Sequence, residues 1–143
     1  MIESITYENK ILAIIIRTEF SKNGIEFFTP DDFSQQLAYM KRPKNYVIEP
    51  HVHNVVERKV DLTQEVLFIK SGKVRVDIYD DEKNYLESRL LNKGDVVLFA
   101  HGGHGFEVID EAEIIEVKQG PYLGENDKIR FVPVKKSLIS IKE

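Results

Sequence analysis

The stretch Glu65-Val-Leu-Phe-Ile-Lys-Ser-Gly-Lys-Val-Arg-Val-Asp-Ile-Tyr79 decides the fold class. Its second half alternates between apolar and polar residues, so that Val74, Val76 and Ile78 lie on one face of a strand. Ser71-Gly72 is a turn signal that ends a first, mainly apolar strand before this half begins. Two successive strands with the side-chain period of a half-buried sheet indicate a β protein.

Further short strands are predicted on both sides of this stretch. They recur at intervals of about ten residues, which is typical of a sandwich or jelly roll. Before the stretch, a six-residue apolar run, Ile11 to Ile16, is predicted to be a buried strand, because it is too short to span a bilayer. After it, strands are predicted at Tyr85–Leu91, Val96–Ala100, Phe106–Ile109 and Glu113–Val117. The side chains expected in the core are Val74, Val76, Ile78, Val97 and Phe99.

One helix is predicted, near residues 30–42. Thr29 is a typical N-cap residue, and Pro30 favours the first helical position. Three apolar side chains then recur at helical spacing and are expected to pack on the barrel: Phe33, Leu37 and Met40.

The composition fits one small domain, residues 1–143, and excludes several function classes. The net charge of −4 provides no basic field for nucleic acid or an anionic membrane surface. There is no cysteine, so any metal must be bound by nitrogen and oxygen ligands. No signal core is recognisable, and a cytoplasmic protein is expected.

His51-Val-His53 is the feature most relevant to chemistry. On a strand, residues i and i+2 point to the same face, so both imidazoles can reach one divalent cation if other strands provide further ligands. The stretch beginning at Glu65 follows it, and a glycine-rich corner containing His101 and His104 comes later. The sequence therefore predicts a metal pocket inside a small β-barrel.

In this order the residues resemble the cupin superfamily over about residues 46–118. His51 and His53 match the histidine pair of its first motif, and Glu65 with Gly72 matches the Glu-x6-Gly half. Gly94 begins the second motif, whose histidine His104 falls one residue early. The resemblance implies an all-β fold, a small jelly-roll (double-stranded β-helix) barrel.

The chain also departs from the family pattern. Eleven residues separate His53 from Glu65, a longer interval than the family usually has, whereas Glu57 lies at the usual distance. Glu57 therefore remains the alternative to Glu65 as the carboxylate ligand. In the second motif Ala100 replaces the family's proline and Val108 its asparagine, which weakens inference about the substrate.

The resemblance implies a metal-binding cupin with His51, His53, Glu65 and His104 around one divalent ion (Fe, Mn, Ni, Co or Zn). Such an ion stabilises an oxyanion, as isomerases and epimerases require, and Fe(II) can activate O2, as in dioxygenases, a reaction that we favour less. We therefore expect metal-assisted proton transfer on a sugar or keto acid, with His51, His53 and Glu65 as the catalytic residues.

Two alternatives remain open. The chain also resembles cupin-type sugar-nucleotide ketoisomerases and epimerases, some of which use the histidine pair as acid and base without metal. In either enzyme Arg58 and Lys70 are candidate substrate-binding residues, and His101 is a rim residue that could touch substrate. In the metal-free isomerase Arg58, Lys70 or Arg75 could bind a diphosphate. The second alternative is a non-catalytic module that binds a small-molecule ligand. The resemblance further implies a homodimer, and the net charge gives no reason to expect a nucleic-acid or membrane partner.

Overall fold

The computed structural model describes residues 1–143, which are mostly β. The chain divides into two compact units, one comprising Met1–Phe20 with Leu62–Glu143 and the other Ser21–Asp61. The larger unit contains strands β1 (Ile2–Tyr7), β2 (Lys10–Ile16), β5 (Glu65–Tyr79), β6 (Tyr85–Asn92), β7 (Val96–Phe99) and β8 (Gly103–Lys118), and the smaller contains β3 (Gly24–Phe27) and β4 (Ala38–Lys41). Two 3-10 turns, at Gly124–Asp127 and Lys136–Leu138, are the only helical elements, and no helix is long and apolar enough to cross a membrane.

The larger unit is built on one antiparallel sheet in the order β1-β2-β7-β5-β6, with β8 paired to β5. β5 is the centre of this sheet: β8 follows one of its edges, while β7 and then β6 follow the other. The sheet curls strongly into a half-barrel. The predicted buried strand at Ile11 to Ile16 and the predicted core positions are confirmed, since these side chains are buried: Val74, Val76, Ile78, Val97 and Phe99.

Gly72 bends the central strand. The strand predicted to end at Ser71-Gly72 instead continues through it, and β5 runs for 15 residues. Gly72 has φ +79°, and its Cα lies so close to the backbone of Glu111 on β8 that a Cβ there would overlap the carbonyl oxygen. The register between the two strands shifts several times between Ile69 and Val74. Bulges of this kind increase local bend and twist, so this point is where the two longest strands turn together.

The predicted helix near residues 30–42 is wrong, because the smaller unit folds as a two-stranded ladder of β3 and β4. Met40, counted in the helical stripe, lies opposite Ile25 in this ladder. The Thr29 hydroxyl does not cap a helix. It accepts a hydrogen bond from the backbone N–H of Leu37 at 3.1 Å and donates one to Gln36 Oε1 at 2.9 Å. The cap-like residue therefore closes a loop, and strand pairing determines the conformation that follows.

Residues 42–61 of the smaller unit contain neither helix nor strand. The predicted strand through His51 and His53 is therefore absent from this structure. A strand needs a hydrogen-bonded neighbour, and within this unit β3 and β4 pair only with each other. Pro50, which has no N–H, further weakens any ladder at this point. The prediction of one domain over residues 1–143 stays a prediction.

Candidate functional site

Glu65 and His104 form a side-chain pair in the larger unit. His104 Nε2 lies 3.2 Å from Glu65 Oε2. Their positions in the ladder would not suggest this contact, because Glu65 is opposite Lys118 whereas His104 is opposite Ile78 at the other end of β5. In a flat sheet these two rows would be about 40 Å apart at ~3.3 Å per residue. The curl of the sheet therefore brings the pair together.

Both members of the pair lie on the core face of the sheet. Glu65 alternates with Leu67 and Ile69, which are buried in the core. His104 is in register with Ile78, another core residue, and therefore shares its face. Both side chains are partly buried rather than free in solvent. A charged residue and an imidazole on a core-facing surface are typical of a functional site rather than of simple packing.

Two phenylalanine rings surround the imidazole. His104 stacks on Phe99 with ring centroids 4.2 Å apart and an angle of 21° between the planes. The ring of Phe106 lies 5.3 Å from His104 and 5.6 Å from Phe99. Phe99 is also opposite Glu65 in the ladder. The imidazole therefore has an aromatic wall on one side and the carboxylate at its edge, which fixes the direction of Nε2.

The hydrogen bond from His104 is the main reason why the pKa of Glu65 is lowered from its ordinary value. Burial acts in the opposite direction, and the positive charges of Lys118 and Lys128 lower the pKa further. Lys118 lies directly opposite Glu65 in the ladder between β5 and β8. The environment thus favours the ionised carboxylate, the form that can bind a cation or accept a proton.

The lowered pKa predicts a pH dependence of stability. A carboxyl group whose folded pKa is below its unfolded pKa stabilises the fold above the unfolded value, and this stabilisation is lost as the pH falls through the folded value. Urea unfolding of the native protein and of Glu65→Gln between pH 6 and about pH 3 measures it. We expect the native protein to lose part of its stability advantage over the variant on acidification. His104→Phe should remove the same pH-dependent part of the free energy of unfolding. A difference in stability between the native protein and Glu65→Gln that does not change with pH in this range would contradict the assignment.

The predicted histidine pair lies in the smaller unit. The rings of His51 and His53 are 5.3 Å apart and nearly perpendicular, and both residues are exposed. His51 Nδ1 is 3.0 Å from the backbone carbonyl oxygen of Glu49. A carbonyl oxygen can only accept, so this contact uses an Nδ1 proton, and Nε2 is the ring nitrogen that remains for a metal when the imidazole is neutral. This is the arrangement in which metal-binding histidines are usually held.

The other candidate residues have local partners or lie in solvent. Glu57 and Arg58 are exposed in the smaller unit, where Arg58 Nη1 donates to the carbonyl oxygen of Val56 at 3.3 Å. In the larger unit Lys70 forms an exposed ion pair with Glu113 at 2.8 Å. His101 lies near Asp81, where its charge helps to lower the pKa of that carboxyl group, after the larger effect of Lys10.

The four residues assigned to one metal site are thus divided between the two units. Within neither unit do three or more histidine, aspartate or glutamate side chains gather in a way that could hold an ion. The larger unit provides the pair Glu65 and His104, and the smaller provides His51 and His53. The donor set of imidazole nitrogens and carboxylate oxygens fits Fe, Mn, Ni, Co or Zn.

Sequence reasoning missed the surroundings of the pair. Phe99 was recognised as a core residue, but its stack on His104 depends on the curl of the sheet and has no local signal. Phe106 follows His104 by two residues, so the alternation of side chains already predicts that both share a face. Lys118 could have been found only from the register of β8 against β5.

Comparison of the chain with protein-family models, with curated proteins and with solved structures gives no match.

Proposed function

We propose that this protein is a small cupin-type enzyme with a jelly-roll barrel, which binds one divalent metal ion and moves a proton on a sugar or keto-acid substrate. The observation that carries the proposal is the Glu65–His104 pair on the core face of the curled sheet. The order of the two histidine-containing motifs and of Glu65 and Gly72 in the sequence supports it as well.

The geometry of the pair supports metal binding. Neighbouring ligand atoms around a divalent ion are about 3 Å apart when each lies about 2.1 Å from the metal. The separation of 3.2 Å between Glu65 Oε2 and His104 Nε2 fits this spacing. The hydrogen bond of His51 to the carbonyl oxygen of Glu49 uses Nδ1 and not Nε2, and we propose the histidine pair as the source of further ligands. In the proposal His53 is the fourth ligand, and Glu57 remains the alternative to Glu65.

A bound ion would supply a positive charge that stabilises the oxyanion formed when a carbon next to a carbonyl loses its proton. The residues of this chain would supply an ionised carboxylate, shielding from water and the group that moves the proton. With an ion bound, Nε2 of His104 would be a ligand without a proton, and the charge of the ion would keep Glu65 ionised; without the ion, the hydrogen bond from His104 lowers the pKa of that carboxyl group. Phe99 and Phe106 shield one side of the imidazole from water, which strengthens electrostatic interactions at that point. A histidine or glutamate side chain then moves the proton.

The second candidate is a metal-free sugar-nucleotide ketoisomerase or epimerase. Two observations support it: the Glu65 carboxylate and the His104 imidazole satisfy each other without an ion, and the rings of His51 and His53 lie exposed only 5.3 Å apart. In this alternative His51 and His53 act as acid and base on the substrate, and Arg58 remains a candidate for binding a diphosphate.

Solvent-deuterium incorporation distinguishes the two candidates. We expect NMR to detect exchange at the carbon next to the carbonyl in keto-sugars or keto acids incubated with the native protein in D2O. Exchange should fall by about 100-fold or more when the metal is removed by chelation and should return when it is added back. Exchange that survives chelation would favour the metal-free isomerase. Absence of exchange together with tight binding of one ligand would contradict both enzymes and favour a binding module.

The homodimer expected from the resemblance stays a prediction, which sedimentation analysis can test. β8 offers a reason for association, because its second edge is unpaired in the sheet and several of its apolar side chains are exposed.

A further inference from the structure

We propose that the metal site of this protein is completed by a second copy of the chain. Residues 46–56, here called the histidine segment, pair in one copy with the unpaired edge of β8 in the other and bring His51 and His53 to its Glu65 and His104. This inference rests on the proposed function and adds to it a partner, because two of the four ligands come from the second copy.

The histidine segment provides one half of this interface. It contains neither helix nor strand, and its apolar side chains are largely exposed, with Val52 at 91% and Val55 at 104%. An apolar stretch without a partner strand gains both backbone hydrogen bonds and burial when it joins a sheet. The segment is therefore suited to add a strand to another molecule.

β8 provides the other half. It pairs only with β5, so its second edge offers unpaired N–H and C=O groups along a strand of 16 residues. Apolar side chains are exposed on both of its faces, among them Val108 at 57% and Ile115 at 51%. A long edge with exposed apolar side chains is a typical template for pairing with another chain.

The charges favour the histidine segment over a second β8 as the occupant of this edge. β8 carries five carboxylates and one lysine, a net charge of −4, and like charges across a ladder oppose the pairing of two such strands. Residues 42–61, which contain the histidine segment, carry four basic and three acidic side chains, a net charge of +1. The segment therefore complements the charge of β8, whereas a second β8 repels it.

Pro50 fits an edge position. Backbone groups of successive residues point to opposite sides of a strand, so a proline in an edge strand can turn the side that lacks an N–H away from its neighbour. When Pro50 is placed in this way, the backbone groups of His51 and His53 both point towards β8. Their side chains then share one face of the sheet.

A strand at this edge reaches the site because His104 lies on β8 itself. His104 is on the core face, where it contacts Glu65. Adjacent strands lie about 4.8 Å apart, and side chains opposite each other have Cβ atoms about 4.5–5.5 Å apart. On the core face of the added strand, His51 and His53 are therefore close enough to His104 for all three imidazoles to bind one ion.

The test uses the symmetry of the exchange. In a two-fold dimer each site takes the histidine segment of one copy and the Glu65–His104 pair of the other. Two versions of the chain are co-expressed with different affinity tags, neither of which contains histidine, and dimers with one chain of each kind are isolated. Sedimentation then gives their oligomeric state, and elemental analysis gives their metal content.

Two arrangements of the same two substitutions are expected to give opposite results. With His53→Ala on one chain and His104→Ala on the other, one site receives both substitutions and the other site neither, so we expect about half an ion per chain. With both substitutions on one chain and a native partner, each site receives one substitution, and we expect less than about a tenth of the native metal affinity. A site formed within one chain predicts the reverse.

The matched control combines His51→Ala on one chain with His53→Ala on the other. Both substitutions lie in the histidine segment, so each site of the mixed dimer lacks one ligand. We expect little metal in this dimer. Metal at the level of the complementary arrangement would show that mixing alone restores binding and would overturn the inference.

Cross-linking tests the exchange without metal. The chain has no cysteine, so a short dimaleimide can join a Val52→Cys chain only to a cysteine placed on its partner. Phe106→Cys places one on β8, two residues from His104, at a position that is 44% exposed. Ile141→Cys is the control, because that position is 49% exposed but lies beside Ser88 of β6, on the other side of β5.

We expect a dimer that contains metal only in the complementary arrangement and that is cross-linked through Phe106→Cys but not through Ile141→Cys. The inference is overturned if the native protein sediments only as a monomer, if metal-binding protein does not show this difference between the arrangements, or if no cross-link joins two copies. If the native protein binds no metal, the cross-link decides. Its formation would support the exchange while contradicting the proposed metal centre, and its absence would overturn both.

Discussion

Alanine in place of Gly72 is expected to destabilise the protein by about 3 kcal/mol or more. A φ of +79° costs an L-residue about 1–2 kcal/mol, and the added methyl group would also overlap the carbonyl oxygen of Glu111. This oxygen belongs to the backbone of the neighbouring strand, which cannot yield without opening the ladder. We expect urea unfolding at 25 °C to show a strongly lowered midpoint, and NMR to show loss of the Glu65–His104 contact in any folded fraction.

Gly124→Ala separates the cost of the positive φ from the cost of the steric overlap. Gly124 has a similar φ of +66°, but no heavy atom lies within 4 Å of the position where a Cβ would be. This control should therefore show only the backbone strain of about 1–2 kcal/mol. Equal effects of the two substitutions, or retention of the Glu65–His104 contact in the Gly72 variant at full stability, would contradict the role assigned to the bend.

The strands of the larger unit could be predicted because their signal is local. The alternation around Val74, Val76 and Ile78 specifies which side chains are buried, and the structure buries all three. The apolar run from Ile11 to Ile16 is likewise recognisable without knowledge of its neighbours. In both cases the residues that identify the strand are the residues that it buries.

The helix near residues 30–42 was predicted from signals that are equally local, but the pairing of β4 with β3 outweighs them. Thr29 and Pro30 suit a helix N-terminus, yet Thr29 forms its hydrogen bonds across a loop. The pairing of Met40 with Ile25 on β3 joins residues that are distant in sequence. Local propensity is worth only fractions of a kcal/mol per residue, so a few such pairings can outweigh it.

For the Glu65–His104 pair, the sequence indicated the two residues but not the contact between them. The motif order identified Glu65 and His104 as partners, and the structure brings them together. We attribute that contact to a bend at Gly72 and to the shifts in register around it, which depend on how two long strands pair and have no signature in the spacing of the motifs. The stacking of His104 on Phe99 depends on the same curl.

Alanine substitutions at the proposed ligands are expected to have the second large effect. Removing His51, His53 or His104 takes a nitrogen ligand from a site that has no cysteine to replace it. We expect each variant to retain less than about a tenth of the metal affinity of the native protein. Loss in Glu65→Ala with retention in Glu57→Ala would identify the carboxylate, and the reverse result would assign it to Glu57.

His101→Ala is the matched control for these substitutions. His101 belongs to the same glycine-rich corner as His104, but it lies near Asp81 and is not among the proposed ligands. Its removal should leave metal binding unchanged. A loss as large as that in His104→Ala would mean that the corner binds metal through its general charge or conformation rather than through His104.

The most direct measurement is elemental analysis of the native protein, purified without a histidine tag, together with His53→Ala and His104→Ala. We predict close to one divalent ion per chain in the native protein and little in either variant. No metal above background in the native protein after exposure to Fe, Mn, Ni, Co and Zn, or full occupancy in the His53→Ala or His104→Ala protein, would contradict the proposed metal centre.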